Sequence, residues 1–275
     1  MKKHLFVLSM LLTIESIKAQ GITNFDIYQY DLKIINPAFA GLEKGYEINT
    51  FLQQKKVTSS MCSFEQNISK LNSGIGLIYQ KNETRAFYER NLKALYNYQY
   101  VLKENKKISL GMSLNYESIG IDKNASSMAL SYISEPGNVT FLSWDLGAVY
   151  DSNTIFGGIS IENISRERIK GDELAKSVKG FNATIGYKIN NLGMFDLRPM
   201  LFFQEFDGIT YFDINLQTEF KKLIIAGARY SSKYKSLSFN AGINWKNTVR
   251  LIGKVFSNSN SVSEKDYEVA LLMNI

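Results

Sequence analysis

Residues 108–116, Ile-Ser-Leu-Gly-Met-Ser-Leu-Asn-Tyr, alternate apolar side chains with small or polar ones. The apolar set is Leu110, Met112, Leu114 and Tyr116, and the intervening set is Ser109, Gly111, Ser113 and Asn115. A period of two residues is that of a β-strand with one apolar and one polar face. The stretch therefore predicts a strand that separates two different environments.

The same alternation recurs from Tyr46 to the end of the chain. It predicts about fourteen strands, near 45–54, 57–68, 72–81, 88–102, 106–119, 141–151, 154–162, 179–190, 194–206, 209–220, 222–232, 236–246, 248–257 and 266–275. Residues 120–140 are interpreted as a loop. Met128–Ile133 within them alternates weakly, and counting it as a strand would make the number odd.

The polar faces distinguish a membrane barrel from a secreted soluble β-sandwich, which shows the same period. They carry Gly, Asn and Gln with few charges, and the charges Lys93, Asp145, Asp213 and Arg229 all fall on them. A Lys or Arg on a lipid-facing position costs roughly 2–4 kcal/mol near the bilayer midplane. The pattern favours a membrane barrel, with the sandwich as the alternative.

The long and short connections between predicted strands also fall at opposite ends of the sheet. The long ones, 82–87, 120–140, 163–178 and 258–265, all follow odd-numbered strands, whereas those after even-numbered strands are short. Bacterial outer-membrane barrels have short periplasmic turns and longer outer loops. The sequence thus predicts an all-β fold, a transmembrane antiparallel up-and-down β-barrel with both termini in the periplasm.

Glycine and proline modify this expectation locally. Single glycines recur within the predicted strands, at Gly74, Gly76, Gly111, Gly147, Gly157, Gly158, Gly186, Gly227 and Gly242. In a barrel they allow coiling and let bulky lumen neighbours or a plug approach the wall. Pro199 removes one ladder hydrogen bond, so a bulge or a strand end is expected there.

The first residues predict a secretory signal over 1–19. Lys2 and Lys3 precede the apolar run Leu5–Leu12, and Ala19 is a small residue before Gln20. The run is too short to span a bilayer, and the rest of the chain has no apolar run of about 18–20 residues. The expected organisation is a signal peptide (1–19), a periplasmic N-terminal segment (20–44) and an outer-membrane barrel (45–275).

Residue chemistry argues against an enzyme. The only histidine, His4, lies in the predicted signal, and Cys62 is the only cysteine. A Ser-His-Asp triad, a histidine-based zinc site and a thiolate cluster are all excluded for the mature chain. The net charge is +6, but basic and acidic residues are well mixed along the chain, and no basic stripe indicates binding to nucleic acid. No catalytic residue, metal or cofactor is expected.

One irregular segment precedes the first strand: Asn36, Pro37, Ala38, Phe39, Ala40 and Gly41. Pro37 fixes its own φ and pushes Asn36 into an extended conformation, and Gly41 can take a positive φ. The segment is interpreted either as a plain turn or as a seal or docking element at the periplasmic mouth or just inside it. In the second interpretation Phe39 packs into the base of the lumen.

Several segments together resemble the PorP/SprF proteins, outer-membrane components of the type IX secretion system in Bacteroidetes. They are Asp26–Tyr30, Asn36–Gly41, Gly74–Tyr79, Ile108–Ser113, Leu146–Tyr150, Gly157–Asn163, Leu197–Pro199 and Gly227–Tyr230. The chain departs from the family at Leu52–Lys55, where an Arg-x-Gln-Trp strand end is usual. It also lacks the terminal aromatic residue usual in outer-membrane strands.

The resemblance implies a helper for the secretion or surface attachment of an adhesin-like cargo, with a link to gliding motility as a further expectation. The implied partners are outer-membrane lipid, a cargo with a type IX C-terminal domain, and other components of the secretion system. Residues 120–140 and 163–178 are the candidate cargo contacts, and the alternative interpretation is that they are ordinary solvated loops. The alternative is a passive outer-membrane porin or transporter for small polar or hydrophobic molecules.

Overall fold

The computed structural model describes residues 25–54, 57–84, 87–102, 106–121, 138–170, 179–258 and 267–275. The predicted signal peptide lies outside these ranges. Within them the strands are β1 Tyr46–Gln54, β2 Thr58–Ile68, β3 Ser73–Glu83, β4 Phe87–Val101, β5 Lys107–Ile121, β6 Val139–Asp151, β7 Ile155–Glu162, β8 Arg166–Lys170, β9 Gly180–Tyr187, β10 Ile189–Leu192, β11 Phe195–Phe206, β12 Ile209–Phe220, β13 Ile224–Ser231, β14 Ser236–Trp245, β15 Val249–Asn258 and β16 Tyr267–Asn274.

The strands form one closed antiparallel barrel. β1 pairs with both β2 and β16, and β9 pairs with both β7 and β11, so the sheet has no open end. Leaving out the short segments β8 and β10, fourteen strands make up the cylinder. Closure matters in a bilayer because each unpaired backbone group in hydrocarbon costs several kcal/mol. The predicted fold and strand number are confirmed.

Two barrel strands are interrupted. β8 continues β7 after Asn163, which has a φ of +53°, and it pairs with β6. The prediction that 163–178 is a loop is therefore wrong for Arg166–Lys170. This strand was not predicted because its sequence is mostly charged. An ion pair between the Arg166 Nη2 and Glu117 Oε2 atoms, at 2.7 Å, holds it in the wall.

The second interruption explains Pro199. The predicted strand 179–190 is split at Lys188 into β9 and β10. β11 runs through Pro199 and pairs it with Leu216 of β12, but on its other side β11 has no partner at this position. The missing ladder bond thus appears as a break in the neighbouring strand, rather than as an end of β11.

The two ends of the barrel differ in their connections. The short-turn end carries 69–72, 102–106, 152–154, 193–194, 221–223 and 246–248, and the opposite, long-loop end carries the long connections 122–138, 171–179 and 259–266. The expected sorting is confirmed for these three. The connection expected at 82–87 is shorter, because β3 reaches Glu83 and β4 begins at Phe87. Met128–Ile133 lies outside the described residues.

The two faces of the wall have opposite chemistry. Outward side chains such as Leu110, Leu146 and Ile214 are apolar and exposed. Lys93, Asp145, Asp213 and Arg229 are all buried on the lumen side, as predicted. Among the described residues, no helix is long and apolar enough to cross a membrane.

Candidate functional site

Residues 25–42, which we call the plug, lie inside the barrel. They form three short 3-10 turns, Tyr28–Tyr30, Leu32–Ile34 and Pro37–Phe39. All but Tyr30 and Leu32 are buried, and those two pack against the same apolar cluster as their neighbours. The described part of the segment expected at 20–44 therefore lies mainly within the lumen.

The plug runs along the barrel axis. Near its start, the amides of Asp26 and Ile27 donate to the Glu268 carboxylate at 2.8 and 3.0 Å, close to the long-loop end. Near its end, the carbonyl oxygen of Leu42 accepts from the Lys107 Nζ at 2.7 Å, at the short-turn end. The plug thus descends toward the short-turn end before entering β1.

The plug contacts the whole circumference of the wall. Each of the fourteen barrel strands contributes at least one neighbour: Phe51, Ser63, Gly74, Asn97, Lys107, Ala148, Ser160, Asn182, Phe202, Asp213, Arg229, Asn240, Lys254 and Glu268. A segment held from every side is positioned by the barrel as a whole. Its conformation therefore depends on wall residues far away in sequence.

Asn36 fixes the start of the last turn. Its Oδ1 accepts from the amide of Ala38 at 2.9 Å, the usual N-cap geometry, and Pro37 occupies the first turn position. Its Nδ2 donates to the carbonyl oxygen of Ile159 at 3.0 Å and reaches that of Ala148 at 3.4 Å. One side chain therefore both caps the turn and ties it to two neighbouring strands.

The end of the motif is bound by amide side chains from β4. The Asn97 Nδ2 donates to the carbonyl oxygens of Ala38, at 3.2 Å, and of Ala40. The Gln99 Nε2 donates to the carbonyl oxygen of Gly41 at 2.7 Å. Gly41 has a φ of +61°, which a residue with a Cβ atom adopts only with strain. The predicted positive φ is present, and it turns the chain toward β1.

Wall glycines leave room for this segment. An added Cβ would collide with the plug at Gly74, Gly111, Gly147 and Gly158, where the neighbours are the Ala40 carbonyl oxygen, the Ala38 backbone and the Asn36 side chain. A Cβ at Gly227 would come within 3.0 Å of the Tyr30 hydroxyl. The expectation that strand glycines let a plug approach the wall is confirmed at these positions.

Aromatic pairs pack the plug against the wall. Phe39 meets Phe156 of β7 edge to face, with 6.4 Å between ring centroids. Tyr28 lies 5.2 Å from Phe202, measured in the same way. Such pairs contribute about 0.5–1.5 kcal/mol beyond their area burial. The structure thus places Phe39 inside the lumen and in contact with its wall.

A charged cluster surrounds the first half of the plug. The Arg229 guanidinium binds Asp26 of the plug at 2.5 Å and Asp213 of the wall at 2.7 Å. The Lys254 Nζ also binds Asp26, at 2.6 Å, and the Tyr28 hydroxyl donates to Asp213 at 3.0 Å. Because these groups are removed from water, the cost of burying each charge is offset by its ion-pair and hydrogen-bond partners.

A second cluster centres on Lys33 of the plug. Its Nζ lies 2.6 Å from Asp31, 3.5 Å from Glu65 and 3.6 Å from Glu47. Burial disfavours the charged form of Lys33, but the three nearby carboxylates stabilise its ammonium group. Lys33 is therefore a cation inside the lumen, balanced by acids of both the plug and the wall.

Sequence reasoning found the motif but not the rest of the plug. The six residues from Asn36 to Gly41 are brought together within the lumen, whereas Phe25–Ile35 were not predicted to enter it. Most of the two candidate cargo loops, 122–137 and 171–178, lies outside the described residues. Within the described residues, no group of three or more Cys, His, Asp or Glu is arranged to hold a metal ion.

Comparison with known proteins supports the barrel fold and identifies a family. A family model described as "Type IX secretion system membrane protein PorP/SprF" matches residues 17–267. No curated protein matches the chain significantly. Among solved structures, the chain is similar in fold to the outer membrane protein Omp33 of Acinetobacter baumannii, with a TM-score of 0.53 and 11% identity over 86% of this chain and 100% of that one.

The toluene transporter TodX of P. putida is a second structural neighbour. Its TM-score is 0.50, with 10% identity over 88% of this chain and 93% of that one. Identities this low show a shared fold and nothing about what passes through or binds to this barrel. The architecture is that of outer-membrane barrel proteins.

Proposed function

The chain belongs to the PorP/SprF family of type IX secretion membrane proteins, and from that premise we propose that it assists the secretion or surface attachment of one adhesin-like cargo protein. It is an outer-membrane component of that secretion system, and its family and barrel fold resemble non-enzymatic outer-membrane proteins. The proposed activity is binding rather than chemistry, with gliding motility as one process that the cargo would serve.

The observation that carries this proposal is the plug. A lumen occupied by residues 25–42, with contacts to all fourteen strands, suits a rigid docking platform better than an aqueous channel. In this account the motif Asn36–Gly41 seals the lumen near the short-turn end. The plug also keeps the barrel mouth in one shape for a partner, which reduces the entropy lost on binding.

The distribution of long and short connections supports one orientation in the membrane. We place the short-turn end and both termini in the periplasm, where they would meet other components of the secretion machinery. The long-loop end then faces outward and offers to the cargo the connections within the two candidate regions, 122–138 between β5 and β6 and 171–179 between β8 and β9. The exposed apolar exterior, including Leu110 and Ile214, contacts outer-membrane lipid.

Co-purification tests the cargo proposal. The loops should be shortened within 123–136 and 171–178, which leaves β5, β6 and β8 intact. Recovery of an adhesin that carries a type IX C-terminal domain and is encoded beside this chain should then fall. Shortening 259–265, a connection at the same end, is the matched control and should have less effect. Unchanged recovery with both candidate loops shortened would contradict the proposal.

The second candidate is a passive porin or transporter. A fourteen-stranded barrel encloses a lumen, and its inner face is polar at positions such as Asn97 and Asn115. The plug argues against it, because conduction would require residues 25–42 to move. Planar-bilayer conductance separates the two candidates.

A further inference from the structure

Two arginines face the lumen at the short-turn end. Arg198 of β11 and Arg250 of β15 both line a cavity of about 140 Å³ beneath the plug and an adjoining one of about 390 Å³ at the rim. Neither guanidinium has a hydrogen-bond or ion-pair partner among the described residues, and the buried Arg250 Nε atom has no acceptor. Two partly buried guanidinium groups without acceptors indicate a place for an anion.

Gln29 gives an independent indication. This plug residue is 5% exposed and lines the smaller cavity, and neither its Oε1 nor its Nε2 atom has a partner within the described part of the chain. Its backbone is fixed, because its carbonyl oxygen accepts from the Gln217 Nε2 at 2.8 Å. A buried amide left unpaired is unfavourable, and a polar ligand in the cavity would supply the missing hydrogen bonds.

The other charges around the cavities are largely engaged. Lys33 balances Asp31, Glu47 and Glu65 on one side, and the Lys188 Nζ lies 2.6 Å from Asp151 on another. The remaining charged side chains at this mouth are Glu43, Asp196, Glu219 and Lys222. Glu219 accepts a hydrogen bond from Asn244. The cations still available to a ligand are the two guanidinium groups and, at the exposed rim, the Lys222 ammonium.

We propose that Gln29, Arg198 and Arg250, here called the mouth site, bind a carboxylate of a polypeptide that reaches the lumen from the short-turn end. A planar guanidinium matches a carboxylate with two parallel hydrogen bonds. The Gln29 amide adds a donor from the plug. Asp196 and Glu219 lie at the same mouth, so a singly charged carboxylate is repelled less than a doubly charged phosphate.

The test uses the full chain reconstituted in lipid nanodiscs. The probe is a fluorescein-labelled hexapeptide, Gly-Ser-Gly-Ser-Gly-Glu, with a free C-terminus, here called the acid peptide. The comparison, called the amide peptide, has Gln in place of the final Glu and an amidated C-terminus. Fluorescence anisotropy should show binding of the acid peptide and not of the amide. R198Q and R250Q should each weaken binding about tenfold, the effect of losing one charge-assisted hydrogen bond.

Matched controls separate this site from general charge effects. R90Q and R168Q remove the same charge from exposed positions near the long-loop end and should leave the affinity unchanged. Q29L keeps the side-chain size and should weaken binding without removing a charge. Heat-modifiable migration reports whether each variant is folded. If an arginine variant fails to fold, the comparison of acid and amide peptides on the unmodified chain still decides the question.

Three results would overturn the assignment. The first is equal binding of the acid and amide peptides, including no binding of either, which would leave the cavities as hydrated space. The second is unchanged affinity in a folded R198Q/R250Q double variant. The third is displacement of the peptide by inorganic phosphate at lower concentration than by acetate, which would assign the site to free phosphate.

Discussion

Ala38 of the plug passes so close to Gly111 of β5 that no Cβ atom fits at position 111. The atoms in the way are backbone atoms of Pro37 and Ala38, which cannot move aside as the end of a flexible side chain would. The wall and the plug are therefore shaped for each other at this point. A change in the wall alone should displace the plug.

G111A should destabilise the plugged barrel by about 1–3 kcal/mol, the usual cost of overpacking a filled interior. The measurement is guanidinium-induced unfolding of the protein in detergent. G253A is the control, because the nearest atom to an added Cβ there is 4.0 Å away. Equal stability of G111A and the unmodified protein would mean that the plug does not lie against β5.

Asn36 provides a second test of the plug. N36A should cost about 1–2 kcal/mol through loss of the cap on Ala38. N36D keeps the capping oxygen but turns a carboxylate oxygen toward the carbonyl of Ile159, where the amide now donates at 3.0 Å. N36D should therefore be at least as unstable as N36A in the same unfolding measurement. If N36D were as stable as the unmodified protein, only the capping hydrogen bond to Ala38 would matter at this position.

Arg229 should be among the most sensitive positions in the lumen. R229M leaves Asp26 and Asp213 without the guanidinium that binds both, and breaking a buried pair in this way costs about 3–5 kcal/mol. K81Q breaks an exposed ion pair with Glu83 and should cost less than about 1 kcal/mol. Thermal unfolding of both variants provides the comparison. Similar losses of stability in R229M and K81Q would contradict the claim that Arg229 holds a buried ion-pair cluster together.

The barrel could be predicted from the sequence because the bilayer and the lumen select opposite side chains along every strand. Leu110 and Gly111 alternate for this reason, and the period of two gave the fourteen barrel strands directly. The breaks at Asn163 and Lys188 could not be read in this way. They depend on pairing with distant strands, and the alternation of side chains within one strand does not show which strands pair with it.

The plug left a weaker signal. Leu95, Phe51 and Phe202 are apolar residues that point into the lumen, where the pattern otherwise has polar side chains, and all three belong to the buried cluster that contains the plug. Such exceptions indicate that something apolar fills the lumen. They do not identify it, because Asn36 finds its partners Ala148 and Ile159 more than a hundred residues along the chain.

The six residues of the motif were predicted by turn chemistry, which is local. Pro37 and Gly41 both have the backbone role expected of them. Whether they seal the lumen or only shape the entry to β1 depends on contacts that no local rule supplies. The sealing role therefore stays a prediction that requires a functional measurement.

Planar-bilayer conductance tests the central claim, that residues 25–42 close the barrel. The unmodified chain should be silent, because the plug contacts the whole wall. Deletion of 25–42 should give large, steady channels, since the remaining fourteen strands enclose a polar lumen. F39A, which loses the contact with Phe156, should give intermittent openings. Steady channels from the unmodified chain, equal to those of the deletion, would contradict the account.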